Sequence, residues 1–157
     1  MKNISHRELC ELGAKYMHRY GTIPFNRPKY VVCELERIGE CPDVFGFGSA
    51  YTQLLEVKVS RSDFLSDKKK EWRINPEIGL GQYRSYLCPD NLIKECELPD
   101  NWGLFYYCDN GKISMIKKPE RQISCSTAEM NLAASIMRRE DIKSQIFSYK
   151  KYKIETK

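Results

Sequence analysis

A chain of 157 residues has the size of one domain and can bury a core without disulfide or metal staples. Its 41% hydrophobic and 30% charged content excludes a disordered chain, and no apolar run approaches the ~18 residues of a membrane span. The stretch MKNISHRELC is too polar for a secretion signal, so the cytoplasm is the expected compartment, and a net charge of +5 permits a polyanionic partner without demanding one.

The first element is a helix. Ser5 and Glu8 have capping-box spacing, Leu9, Leu12, Tyr16 and Tyr20 recur at helical intervals, and Gly21 is the stop. Pro24 and Pro28 mark a loop before a strand over Tyr30 to Glu36, which Gly39 and Pro42 end. Asp43–Phe47 and Gln53–Val59 read as the arms of a hairpin. A second helix is expected from Ser62 or Asp63 past Trp72, with Ser62 as cap. Asn75–Gly81 is a loop, Tyr83–Cys88 a strand stopped by Pro89, and Trp102–Cys108 pairs with Lys112–Ile116 across Asn110-Gly111. A last helix starts at Ser126, where Glu129 completes another capping box and Met130, Ala133, Ala134 and Met137 supply an apolar face. The order predicts an α/β (α+β) fold, one central mixed sheet flanked by helices. Nothing divides the chain, so residues 1–157 form one domain, with a core over 5–118 and a C-terminal helix and basic tail over 119–157. That tail, SYKKYKIETK, reads as a solvated end or as a phosphate-contacting arm.

The seven cysteines include no CxxC pair, which argues against a zinc ribbon, and they read as small buried apolar side chains. His6 and His18 are too few for a histidine-based catalytic metal site or a Ser-His-Asp set. Neither GFG nor GLG has the context of a phosphate loop.

The informative stretch is CPDVFGFGSAYTQLLEVKVSRSDF. In its second strand Leu55, Val57 and Val59 share one face and must be core, while Glu56 and Lys58 lie about 7 Å apart on the other. Charges in a strand of this kind need partners. A hairpin pairing that places Asp43 opposite Glu56, with its turn near Ser49-Ala50, brings Asp43, Glu56 and Lys58 together. Two carboxylates about 4 Å apart repel by roughly 4 kcal/mol at an effective dielectric near 20. A divalent cation offsets that repulsion, and a neighbouring lysine can orient an attacking water, a set of parts suited to phosphodiester hydrolysis. An ordinary structural salt bridge between Glu56 and Lys58 is the alternative.

Pro42-Asp43, twelve intervening residues and Glu56-Val57-Lys58 resemble the PD-(D/E)XK nuclease superfamily. With Glu34-Leu35, EVKVSRSDFLSDKK, YRSYLCPDNLI and the Pro99-x-x-x-Gly103-Leu104 segment, residues 8 to 118 look like the MmcB-like family of DNA-repair endonucleases. The resemblance implies a restriction-endonuclease-like core and Mg²⁺- or Mn²⁺-dependent cleavage of DNA. It implies that Asp43 and Glu56 hold the metal, that Lys58 orients the nucleophilic water, and that Glu34 adds a ligand or water contact. Glu8 or Glu11 would be the helix-borne acid of other branches. The family's D-x-K-W segment is altered, with Trp72 two positions late, and the loop RINPEIGLG is longer.

Around this set, Asp63 and Asp67 favour the positive end of the second helix or contact Lys58 or DNA. Ser60, Arg61, Lys68, Lys69, Lys70 and Arg73 form a candidate phosphate-binding face, the lysine run reading otherwise as a solvated helix surface. Gln82 and Tyr83 could line the cleft. A homodimer or a recruiting protein partner is compatible with the fold, as is a non-catalytic module that binds nucleic acid or a partner protein.

Overall fold

The structure is a computed structural model and describes residues 4–142. Its elements follow the expected order. They are α1 (His6–Tyr20), β1 (Tyr30–Cys33), β2 (Val44–Phe47), β3 (Gln53–Val57), α2 (Arg61–Asp67), α3 (Glu71–Ile74), β4 (Tyr83–Pro89), β5 (Gly103–Tyr107), β6 (Ile113–Lys117) and α4 (Ser126–Arg139). One six-stranded mixed sheet has the order β1-β2-β3-β4-β5-β6. Antiparallel pairs form both edges, and β3-β4-β5 is parallel. A restriction-endonuclease-like α+β arrangement is consistent with this sheet. No helix among the described residues is long and apolar enough to cross a membrane. The basic tail lies outside the described residues.

Both faces of the central strands are covered, as parallel sheets require. One face carries Val44, Leu55, Val57, Leu87 and Phe105 against Leu9, Cys10 and Met17 of α1. The other carries Phe45, Leu54, Tyr86 and Leu104 with Phe64, Trp102 and Leu132. α1 is capped as expected, with Glu8 N–H donating to Ser5 Oγ and Ser5 N–H to Glu8 Oε2, and Gly21 at φ 74° ends it. Its buried stripe is Leu9, Cys10, Gly13 and Met17, so the helix is rotated from the expected aromatic face, and Tyr20 is exposed. Gly13 permits this close approach, because a Cβ there would meet Leu87 Cδ2 at 2.9 Å.

Three expectations are corrected. The second helix is broken, with α2 ending at Asp67 and α3 starting afresh after Lys70 in extended backbone. Six residues along an unbroken helix turn through about 600°, which would leave Asp67 and Arg73 roughly 120° apart; the break brings their side chains within 2.8 Å. α4 starts at Ser126 without a side-chain cap, because the Glu129 carboxylate accepts instead from Thr52 Oγ1 at 2.8 Å and Gly81 N–H at 2.9 Å. Its core-facing side chains are Ala128, Leu132 and Ile136, while Met130 and Met137 are exposed.

Arg84 on β4 is fully buried and faces carbonyls rather than an acid. It donates to Gly81 O at 2.8 Å, Pro76 O at 2.6 Å and Ile123 O at 2.9 Å. Gln122 N–H to Gln82 O and Cys125 N–H to Gly79 O, each 2.9 Å, bind the same connector before α4 to the same loop.

Candidate active site at the carboxyl end of β3

The β2–β3 register is the expected one. Val44 pairs Leu55, Phe45 pairs Leu54 and Gly46 pairs Gln53, a progression that puts Asp43 opposite Glu56. Asp43 ends its strand by accepting the Val57 N–H on Oδ2 at 2.8 Å. Glu56 sits opposite Tyr86 of β4, and Lys58 N–H continues the parallel ladder to Leu87 O. The register thus puts Asp43, Glu56 and Lys58 at the same end of the sheet, with Glu56 2% and Lys58 4% exposed at the side chain.

Around Glu56 lies a buried charge cluster. Lys58 Nζ stands 3.3 Å from Glu56 Oε2, 3.4 Å from Asp67 Oδ1 and 3.9 Å from Asp63 Oδ1. The anticipated contact of the helix acids with Lys58 is therefore present. Arg73 reaches Glu40 at 2.5 Å, Asp67 at 2.8 Å and Glu56 at 3.2 Å. Tyr86 Oη donates to Asp67 Oδ2 at 2.7 Å, and Leu80 N–H to Glu40 Oε2 at 2.7 Å. Three buried carboxylates, Glu40, Glu56 and Asp67, share two buried cations, with Lys70 reaching Asp67 from the rim. Glu56 Oε1 is buried and meets no hydrogen-bond donor among the described residues.

These contacts decide the charge states. Burial, with Asp43 and Asp67 adding, pushes Glu56 up to about 7 against the pull of Arg73 and Lys58. Burial also opposes the Lys58 charge, but Glu56, Asp67, Asp43 and Asp63 outweigh it and raise its pKa. Burial opposes the Asp67 charge too, and Arg73 and Lys58 hold it well below the carboxylate range. As pH falls, Glu56 therefore takes a proton before Asp67 does. A carboxyl group whose pKa is higher folded than unfolded lowers stability as pH rises between those two values. Glu56→Gln should thus stabilise the metal-free protein at pH 8, by at most about 3 kcal/mol for a rise from 4.5 to about 7. The gain should nearly vanish at pH 4.5. Denaturant melts at the two pH values measure it, and a loss of stability at pH 8 would mean that the carboxylate is a net stabiliser of the cluster.

Asp43 belongs to a second set of contacts. His6 Nε2 stands 3.5 Å from Asp43 Oδ1, Cys10 Sγ lies 3.5 Å from His6 Nδ1, and Glu34 Oε1 is 3.9 Å from His6 Nδ1. Burial opposes the Asp43 charge, but His6, Lys58 and the Val57 N–H hold its pKa below the usual value. The Asp43 carboxylate facing its ring raises the pKa of His6. The two acids expected to share one cation are therefore divided between neighbouring groups, Asp43 with His6 and Glu56 with Lys58 and Arg73.

The remaining candidates are scattered. Glu34, at φ 51°, borders the site and donates its N–H to Asp43 O at 2.8 Å. Glu8 serves the α1 capping box and Glu11 pairs with Arg7, so the α1 side chain that reaches Asp43 is His6. Ser60 caps α2 through the Asp63 N–H. Arg61 is held by Glu97 at 2.8 and 2.5 Å, and Lys68 lies over the Phe64 ring. Lys69 is exposed and Lys70 pairs with Asp67. Arg73 is removed from the phosphate-binding set, because its side chain is 1% exposed and its charge is spent on three acids. Gln82 and Tyr83 are also removed from the cleft: Tyr83 pairs with Gln53, at the opposite end of β3. Sequence reasoning missed His6, Cys10, Glu40 and Tyr86. The spacing of His6 and Cys10, four apart on α1, was the available signal for that pair.

No family model and no curated protein matches the chain. Among solved structures it is similar to the SPO1766 protein of unknown function from Silicibacter pomeroyi, with a TM-score of 0.58 and 18% identity over 94% of this chain and 100% of that one. At this identity the likeness shows a common fold.

Proposed function

We propose that the chain is a metal-dependent nuclease of the PD-(D/E)XK type that hydrolyses phosphodiester bonds in DNA. The observation that carries this reading is the buried Glu56–Lys58 pair at 3.3 Å beside the strand-end Asp43. The donor chemistry suits Mg²⁺ or Mn²⁺. Glu56 Oε1 is buried without a donor, and Asp43 keeps lone pairs beyond its single backbone bond. Asp43 and Glu56 would hold the ion, with Glu34 at the border. When bound, the ion supplies Lewis-acid polarisation of a phosphoryl oxygen and a more acidic water.

Lys58 keeps its proton near neutral pH, so it acts as a fixed cation rather than as a base. It orients an oxygen nucleophile and stabilises charge that develops on phosphate. Asp63 and Asp67 hold its ammonium in place. The exposed Lys69 and the partly exposed Lys68 remain for the DNA backbone, and each phosphate neutralised adds roughly 0.9 to the salt slope on duplex DNA. All seven cysteines are free, which suits a reducing compartment such as the cytoplasm. A second reading, a binding module that keeps the fold without cutting, draws support from the cations already on Glu56 Oε2.

Cleavage of labelled duplex, single-stranded, nicked, flapped and four-way DNAs with Mg²⁺, Mn²⁺ or EDTA tests the proposal, with Glu56→Ala beside the wild type. Metal-dependent products reduced at least ~1,000-fold in the variant are expected, as for loss of several kcal/mol of charge stabilisation. Equal cutting by both proteins would reject the site. DNA binding without cutting on any substrate would favour the binding module.

A further inference from the structure

We infer that His6, Cys10 and Asp43 form a site for a thiophilic divalent cation, Zn²⁺ in the first instance. This site is separate in chemistry from the hard-ion site proposed above and shares Asp43 with it. One nitrogen, one sulfur and one oxygen ligand atom from these side chains lie within 4.8 Å of one another. The individual separations are informative. His6 Nε2 is 3.5 Å from Asp43 Oδ1, and Cys10 Sγ lies 3.8 Å from Nε2 and 3.5 Å from Nδ1. The first is too long for a charge-assisted hydrogen bond, which runs at about 2.7–2.9 Å. Tetrahedral zinc bonds of about 2.0–2.3 Å put neighbouring ligand atoms roughly 3.3–3.6 Å apart, close to the two His6 Nε2 separations.

The surroundings suit a cation. Cys10 is fully buried, so its thiol sits in a dry wall rather than at the surface. Glu34 Oε1 faces the other ring nitrogen of His6 at 3.9 Å, the position from which an outer carboxylate orients a histidine ligand. Cys33 at the end of β1 packs beside Cys10 but lies outside the three-residue group, so Cys10 is that group's one thiol ligand. The nearby cation, Lys58, is held by Glu56, Asp63 and Asp67. A sulfur ligand disfavours Mg²⁺ and favours Zn²⁺ or Co²⁺. Zinc at this point would tie the start of α1 to the start of β2.

The test uses the full chain, reduced and metal-free, with exposed Cys41 and Cys96 changed to serine to remove adventitious thiols. Titration with Co²⁺ should give one thiolate-to-cobalt charge-transfer band that saturates at one ion per chain and is displaced by Zn²⁺. Cys10→Ser should abolish the band. Because a buried substitution can disturb folding, the half-exposed His6→Ala is the second variant, and it should weaken Zn²⁺ binding by at least the roughly 10–100-fold that loss of an outer carboxylate costs. Glu56→Gln should keep the band, which separates this site from the nuclease proposal. Absence of the band in the parent protein, or its survival in both Cys10→Ser and His6→Ala, would overturn the inference.

Discussion

Replacing Arg73 by leucine is expected to destabilise the protein by about 3–5 kcal/mol at neutral pH, the cost of stranding buried carboxylates by removing their partner. Three acids lose a contact at once: Glu40 at 2.5 Å, Asp67 at 2.8 Å and Glu56 at 3.2 Å. The guanidinium also lies 4.7 Å from the Trp102 ring centre, so leucine forfeits a cation–π contact as well. The pH dependence has a definite sign. Arg73 is the main partner that holds Asp67 below its unfolded pKa, a contribution present above that pKa and lost as pH falls through the folded value. The deficit of the variant should therefore shrink on acidification, when the stranded carboxyl groups protonate in both states. Urea denaturation at pH 7.5 and pH 4.5 measures both effects. A loss below 1 kcal/mol at pH 7.5 would mean that the cluster does not rest on Arg73.

Lys58→Met should reduce turnover by roughly 100- to 1,000-fold, the usual cost of one preorganised donor at a reacting oxyanion. Mn²⁺ affinity at pH 8 should stay within about tenfold, since the substitution removes neither ligand carboxylate and relieves repulsion of the ion. Lys58 lowers the pKa of Glu56, so its loss should move the onset of both metal binding and cleavage to higher pH. Turnover and calorimetric Mn²⁺ binding between pH 6 and 9 read this shift. Unchanged turnover would remove Lys58 from the chemistry, and a collapse of metal affinity at every pH would make its role structural.

The parts of this fold that were legible in the sequence are those set by short-range rules. The Ser5–Glu8 box, the Gly21 stop and the Asn110-Gly111 hairpin depend on neighbours in the chain, and all three stand in the structure. The Asp43–Glu56 register was legible because alternation in a covered strand admits one pairing. The burial of Arg73 was not legible. Three lysines precede it, good helix formers that predict a continuous solvated helix, and the break after Asp67 that turns Arg73 inward leaves no mark in propensity. Glu129 showed the same limit from the other side: its capping spacing is correct, but Thr52 and Gly81, distant in sequence, offer its carboxylate better donors. His6 was set aside with His18 as too few for a histidine-based site, and only the packing of α1 on the sheet brings it to Asp43.

Arg84 gives the far end of the molecule a mechanical character of its own. The groups its guanidinium serves are carbonyls of two separate segments, the loop before β4 and the connector before α4. Neither segment can swing away without leaving a buried cation unsolvated and exposing the bonds of the other. Loop and connector thus share one buried cation, which holds the segment leading into α4 against the sheet.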